Sequence, residues 1–146
     1  MTNIDEMIDE IYSAFSKAPR PDICDITSHR CHECNRIRVD FADFNNRQVP
    51  DSVIKYHSDA LPLFSASALR YYLPRYMEYS LLNEGSNAAE SVFFELCPSP
   101  INDWHLQRIE SFTNTEKELV TRYLQAHASI YLDDMEDINK CLYLWA

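Results

Sequence analysis

Glycine is almost absent from this chain of 146 residues, in which Gly85 stands alone. Hairpins and tight strand connections usually place glycine at positive φ, so its scarcity argues against a many-stranded fold and for helices. Long apolar runs are missing too. No stretch approaches the roughly 20 consecutive apolar residues of a membrane span, and Met1-Thr2-Asn3-Ile4-Asp5-Glu6 has neither the basic nor the apolar region of a secretory signal. A cytoplasmic protein is the expectation. Glycine-rich phosphate loops, a G-x-S-x-G elbow and an H-E-x-x-H pair are all lacking, which removes the most recognisable nucleotide-binding and hydrolytic signatures. Positive charge is scarce: 13 Lys and Arg face 23 Asp and Glu, for a net charge of −10. Phosphate backbones reward Lys and Arg, so nucleic acid is a poor partner. A basic protein suits this surface better, because complementary charge speeds encounter and rejects wrong partners.

What is present points to a folded domain. Apolar residues make up 46% of the chain and aromatics 12%, enough to bury a core at this length without disulfide staples. We expect a mainly α, single-domain bundle of six to seven helices over residues 1–146, with a small zinc-knuckle-like turn as an option. Ile4, Met7, Ile8, Ile11, Tyr12 and Phe15 share one face of a first helix, with Thr2 and Asp5 resembling a capping box. Pro19 and Pro21 end it. Short helical pieces follow from within the Cys31 region to Phe44 and over Ser52 to His57, with a small hairpin between Val39 and Val49 left open. Ser65 is placed to cap the longest signal, in which Leu69, Tyr72, Leu73, Tyr76, Met77 and Leu81 form one stripe. Pro74 lies inside that stripe and is expected to kink or split the helix, at a cost of roughly 3 kcal/mol. Gly85 suits the left-handed position after its C-terminus. Helices from about Ala88 to Leu96, around Trp104 to Phe112, and after a Thr113/Glu116 capping box complete the bundle.

Five cysteines is an odd number, and three of them, Cys24, Cys31 and Cys34, fall close together. That pattern reads as reduced thiols rather than a disulfide framework. His29-x-Cys31-x-x-Cys34 offers three zinc ligands, because a C-x-x-C turn lets two thiolates reach one ion. His57 is the leading fourth ligand, with Cys24 and His32 as competitors; four protein ligands would close the site and make the zinc structural. The plain alternative is a pair of ordinary thiols at a helix entry. A thioredoxin-like redox role is disfavoured, since no βαβ setting surrounds the motif.

Leu69 to Tyr79 holds four tyrosines and two arginines. Arg70, Tyr71, Arg75 and Tyr79 are candidates for a partner-binding face, tyrosine and arginine being favoured at interface hot spots. The same spacing fits buried tyrosines with satisfied hydroxyls, and that reading is preferred. Asp133, Asp134, Glu136 and Asp137 form an acidic cluster and a second candidate surface.

The blocks His29-Arg30-Cys31-His32-Glu33-Cys34, Tyr56-His57-Ser58-Asp59-Ala60-Leu61-Pro62-Leu63 and Arg70-Tyr71-Tyr72-Leu73-Pro74 resemble an uncharacterised bacterial family with H-x-C-x-E-C, Y-H-x-x-A-L-P-L and R-Y-Y-L-P motifs. The resemblance runs from Ile11 to Leu82. It implies that His57 belongs with the cysteine motif and that Pro74 is a deliberate feature, and it carries no activity with it. The leading functional expectation is an immunity- or antitoxin-like protein that neutralises a basic toxin by binding. Two alternatives stand beside it: a zinc enzyme with an open site at His29, Cys31 and Cys34, with Glu33 or Asp59 as base, and an adaptor subunit of a larger assembly.

Overall fold

A computed structural model describes residues 3–146. Eight α-helices and several 3-10 turns make up its regular structure, and among the described residues the only β feature is an isolated bridge between Thr27 and Phe64. The segment Val39 to Val49 is helix and 3-10 turn, not a hairpin.

Helix α1 (Ile4–Ala14) buries Met7, Ile8 and Ile11. Thr2, the expected cap, lies outside the described residues; Asn3 fills the role, its side chain accepting from the Asp5 N–H at 2.8 Å. After the 3-10 turn Ile23–Asp25 come α2 (His32–Phe41) and α3 (Asp51–Tyr56). The long α4 (Ala66–Leu82) starts where Ser65 accepts from the Ala68 N–H at 3.1 Å. It runs unbroken through Pro74, so the proline does not split it. Then follow α5 (Asn87–Leu96), α6 (Asp103–Glu110), α7 (Asn114–Ile130) and α8 (Met135–Cys141), with a closing 3-10 turn, Leu142–Trp145. The Thr113/Glu116 capping box forms as its sequence promised. Gly85 has φ +77°, but it lies beyond the Asn83 cap, in the α4–α5 connection. No helix is long and apolar enough to cross a membrane, among the described residues.

Helix α4 is the axis of the fold. Most of its 17 residues are buried, and α1, α3 and α5 pack around it. A helix buried nearly all round cannot leave its polar side chains to water, so each needs a partner inside. Arg70 forks onto Glu116, at 2.8 and 2.9 Å, and so ties α4 to α7. Glu116 is wholly buried and also accepts from the Thr113 N–H, so one carboxylate caps α7 and clamps it to α4. Arg75 donates to the Val49 carbonyl at 2.8 Å and pairs with Asp51 and Glu78. The Tyr76 hydroxyl donates to the His57 carbonyl at 2.6 Å, and Ser80 meets Tyr123 at 2.8 Å.

Cys97 and Cys141, expected as free thiols, are joined in a disulfide between the end of α5 and the end of α8. Cys24, Cys31 and Cys34 remain free.

Burial pushes the Tyr72 hydroxyl up to about 12 and those of Tyr12, Tyr76 and Tyr123 higher still. An acid whose folded pKa is raised leaves stability unchanged below its unfolded value, near 10. Above that value the unfolded chain loses the proton first, and stability falls as pH rises through the folded pKa. Alkaline titration is therefore expected to show the tyrosinate absorbance of these residues rising in the same cooperative step as the loss of helical circular dichroism. Complete ionisation of all nine tyrosines before any helix is lost would contradict their burial.

Candidate functional site

Successive residues of a helix are turned by about 100°, so α2 divides into two faces. His32, Glu33, Arg36 and Asp40 share one; Cys34 and Arg38 share the other, with Ile37 and Phe41 turned to the core.

On the first face α2 meets His57, the C-cap of α3. Its ring is buried, and Nε2 lies 2.7 Å from Asp40 Oδ2. Arg36 Nε donates to the same oxygen at 3.0 Å. Burial pushes the Asp40 carboxyl up, but the hydrogen bonds from His57 and Arg36 outweigh it and hold the group below the usual carboxylate range. The Asp40 carboxylate accepts a hydrogen bond from the Nε2–H of His57. No hydrogen bond reaches Nδ1, and among the described residues no buried side-chain nitrogen or oxygen lacks a partner. Nδ1 is thus open to the adjoining cavity of about 310 Å³, lined by His32, Glu33, Arg36, Tyr56, His57 and Asp59. Two of the three sequence blocks singled out above converge there.

On the other face, Cys31 is the N-cap of α2, and its Sγ accepts from the Cys34 N–H at 3.2 Å. Cys31 is exposed and Cys34 buried. The hydrogen bond from the Cys34 side chain, with the backbone N–H behind it, lowers the Cys31 thiol, while burial raises that of Cys34. Arg38 is buried next to them, bonded to Thr27 Oγ1, Asn35 Oδ1 and, at 2.9 Å, the His29 carbonyl.

This geometry turns His57 and His32 away from Cys34. His57 is bonded to Asp40 on the face of α2 turned away from Cys34, and His32 lines the His57 cavity. Cys24 is exposed on the 3-10 turn Ile23–Asp25, its carbonyl accepting from Arg30 at 3.2 Å. Among the described residues no three His, Cys, Asp or Glu side chains converge as a metal site requires. His57 is thus not brought to the Cys31–Cys34 pair, because spacing along the chain ignores which side of a helix each residue leaves from. Asp40 went unnoticed in the sequence; its place two turns along the helix from His32 and Glu33 was the available signal.

The first partner surface is also corrected. Tyr71, Arg75 and Tyr79 are buried, and Arg70 is spent on Glu116. These residues hold the core. The acidic cluster is different: Asp133, Glu136 and Asp137 are exposed, while Asp134 accepts from or pairs with His127 Nε2 at 2.9 Å. Asp134 and Asp137 border a cavity of about 300 Å³ between α5 and the α7–α8 corner, walled by Phe93, Phe94, His127 and Tyr131, with Glu90 at its edge. Phe93 stacks on His127 with centroids 5.1 Å apart. Residues 76–107 and 123–139, which supply this whole lining, contain no Lys or Arg.

A family model described as a family of unknown function, DUF6714, matches residues 3–145. The chain belongs to that family. No curated protein and no solved structure matches it.

Asp40 gives the site an acid signature. Its depressed folded pKa contributes stability that is present above the unfolded value, near 4, and is lost as pH falls through the folded one. Asp40→Asn is expected to lower stability at pH 7 by about 1.5–3 kcal/mol, as for hydrogen bonds to a charged group. It should also flatten the urea midpoint below pH 4. A variant that keeps the wild-type acid slope would show that Asp40 is not its source.

Proposed function

We propose that this protein is a non-catalytic binder that neutralises a basic protein, in the manner of an immunity or antitoxin protein. The observation that carries the reading is charge segregation. Two stretches free of Lys and Arg fold together into one aromatic-walled pocket rimmed by Glu90, Asp134 and Asp137. Phe94 stands 61% exposed at its lip. Aromatic faces beside carboxylates attract ammonium and guanidinium groups, and an aromatic anchor inside a charged rim is the usual anatomy of an interface hot spot. An acidic surface also steers a basic partner toward its site.

The open-zinc enzyme is less well supported. Glu33 and Asp59, its candidate bases, line the cavity on the side of α2 away from the Cys34 face. An adaptor role would use the same acidic surface and differs only in what the partner does when free.

Co-expression with the product of an adjacent gene encoding a basic protein tests the reading. Protection of the cell and a complex whose association slows as salt is raised are the expected results. Asp137→Lys and Phe94→Ala should each weaken that complex roughly ten-fold, about 1.4 kcal/mol, with the fold intact. Failure to bind or protect against any such neighbour would remove the proposal.

A further inference from the structure

Three buried arginines hold this fold together, and their charges are balanced differently. Arg75 pairs with Asp51 and Glu78, and Arg108 with Glu95. Arg38 is bonded only to neutral acceptors, Thr27 Oγ1, Asn35 Oδ1 and the His29 carbonyl; among the described residues no carboxylate pairs with it. A buried cation without a counter-charge is costly. Arg38 lies one turn after Cys34 on the same face of α2.

Cys34 is also in contact with Cys31. The Cys34 N–H already points at Cys31 Sγ, and the first turn of a ten-residue helix directs its free N–H groups and positive end toward the same sulfur. One thiol of the pair is exposed and the other is covered. A sulfur reachable from solvent, a second sulfur behind it, and two sources of positive potential on the pair are together what thiol–disulfide exchange needs.

We infer that Cys31 and Cys34 form a thiol–disulfide exchange site, with Cys31 as the attacking sulfur, Cys34 as the resolving one, and a low-molecular-weight disulfide as the oxidant. Cys31 Sγ attacks one sulfur of the disulfide R–S–S–R. A mixed Cys31–S–S–R bond forms, the R–S–S–R bond breaks, and the departing R–S group leaves as a thiol with the proton from Cys31. Cys34 Sγ then attacks Cys31 Sγ, the bond to R breaks, and the second R–SH leaves with the proton from Cys34. Two protein thiols are oxidised to one disulfide and one small disulfide is reduced to two thiols. The motif is read here without a strand before it, because the helix start and Arg38 supply what the sequence pattern alone could not show.

The purified full chain, with its Cys97–Cys141 disulfide, is mixed with oxidised glutathione at neutral pH, quenched with acid and mapped by peptide mass. Cys24 serves as the internal control, being exposed but not the N-cap of an α-helix. Wild type should yield a Cys31–Cys34 disulfide, two hydrogens lighter, with Cys31 consumed roughly ten-fold faster than Cys24. Cys34→Ser should stop at a glutathione adduct on Cys31. Arg38→Gln should slow the reaction several-fold and Arg38→Lys restore it. Equal rates at Cys24 and Cys31 overturn the inference, as does a wild-type adduct that never resolves. A pair that stays inert until a chelator removes a metal overturns it too, and the wild-type map decides even if a variant fails to fold.

Discussion

A helix that is buried nearly all round, yet carries two arginines and four tyrosines, dictates the rest of this architecture. Each polar side chain of α4 has to find its partner in a different neighbour: Arg70 in α7, Arg75 in the Val49 carbonyl and Asp51, Tyr76 in the His57 carbonyl, Ser80 in Tyr123. Leaving any one unpaired would cost on the order of 1–3 kcal/mol, so the neighbours are held in register by satisfaction as much as by apolar packing. The Tyr76 bond is the link between this core and chemistry. It fixes the backbone of the residue whose ring faces the cavity beside α2.

Around that axis the surface is divided by charge. Nine of the 13 Lys and Arg lie before Tyr76, whereas the two stretches that line the acidic pocket contain none; Glu95, at the end of α5, is paired with Arg108 from α6. Helix α2 is divided in another sense. One side presents imidazole and carboxylate to a cavity, and the other presents thiols beside a buried guanidinium. Ten residues thus serve two environments that differ in both polarity and access to solvent.

Much of the fold was legible because its signals are local. Ser65 and the Thr113/Glu116 box announced their helices, apolar spacing fixed the buried faces, and the paucity of glycine indicated helices throughout. Eight helices form among the described residues, one more than the upper expectation; the piece over Ser52 to His57 was anticipated as α3, whereas α8, with seven residues, has too few turns to show a period. The site was less legible for a geometric reason. His57 and Asp40 are 17 residues apart and meet only because α3 folds back on α2. Cys97 and Cys141 likewise join across 44 residues that carry no cue of the pairing. The tyrosine–arginine block fitted either a core or an interface until α4 was seen to be surrounded.

Gly85 closes the α4–α5 connection at φ +77°, and its N–H donates to the Tyr131 hydroxyl at the edge of the acidic pocket. A Cβ built there would meet nothing within 4 Å. The position therefore discriminates by chirality rather than by volume. L-residues with a side chain meet a torsional resistance to the left-handed region, least for Asn and Asp and greatest for β-branched residues, whereas the mirror-image alanine would sit in its own preferred basin. The single glycine of this chain is in that sense the one left-handed joint among the described residues, placed at the rim of its pocket.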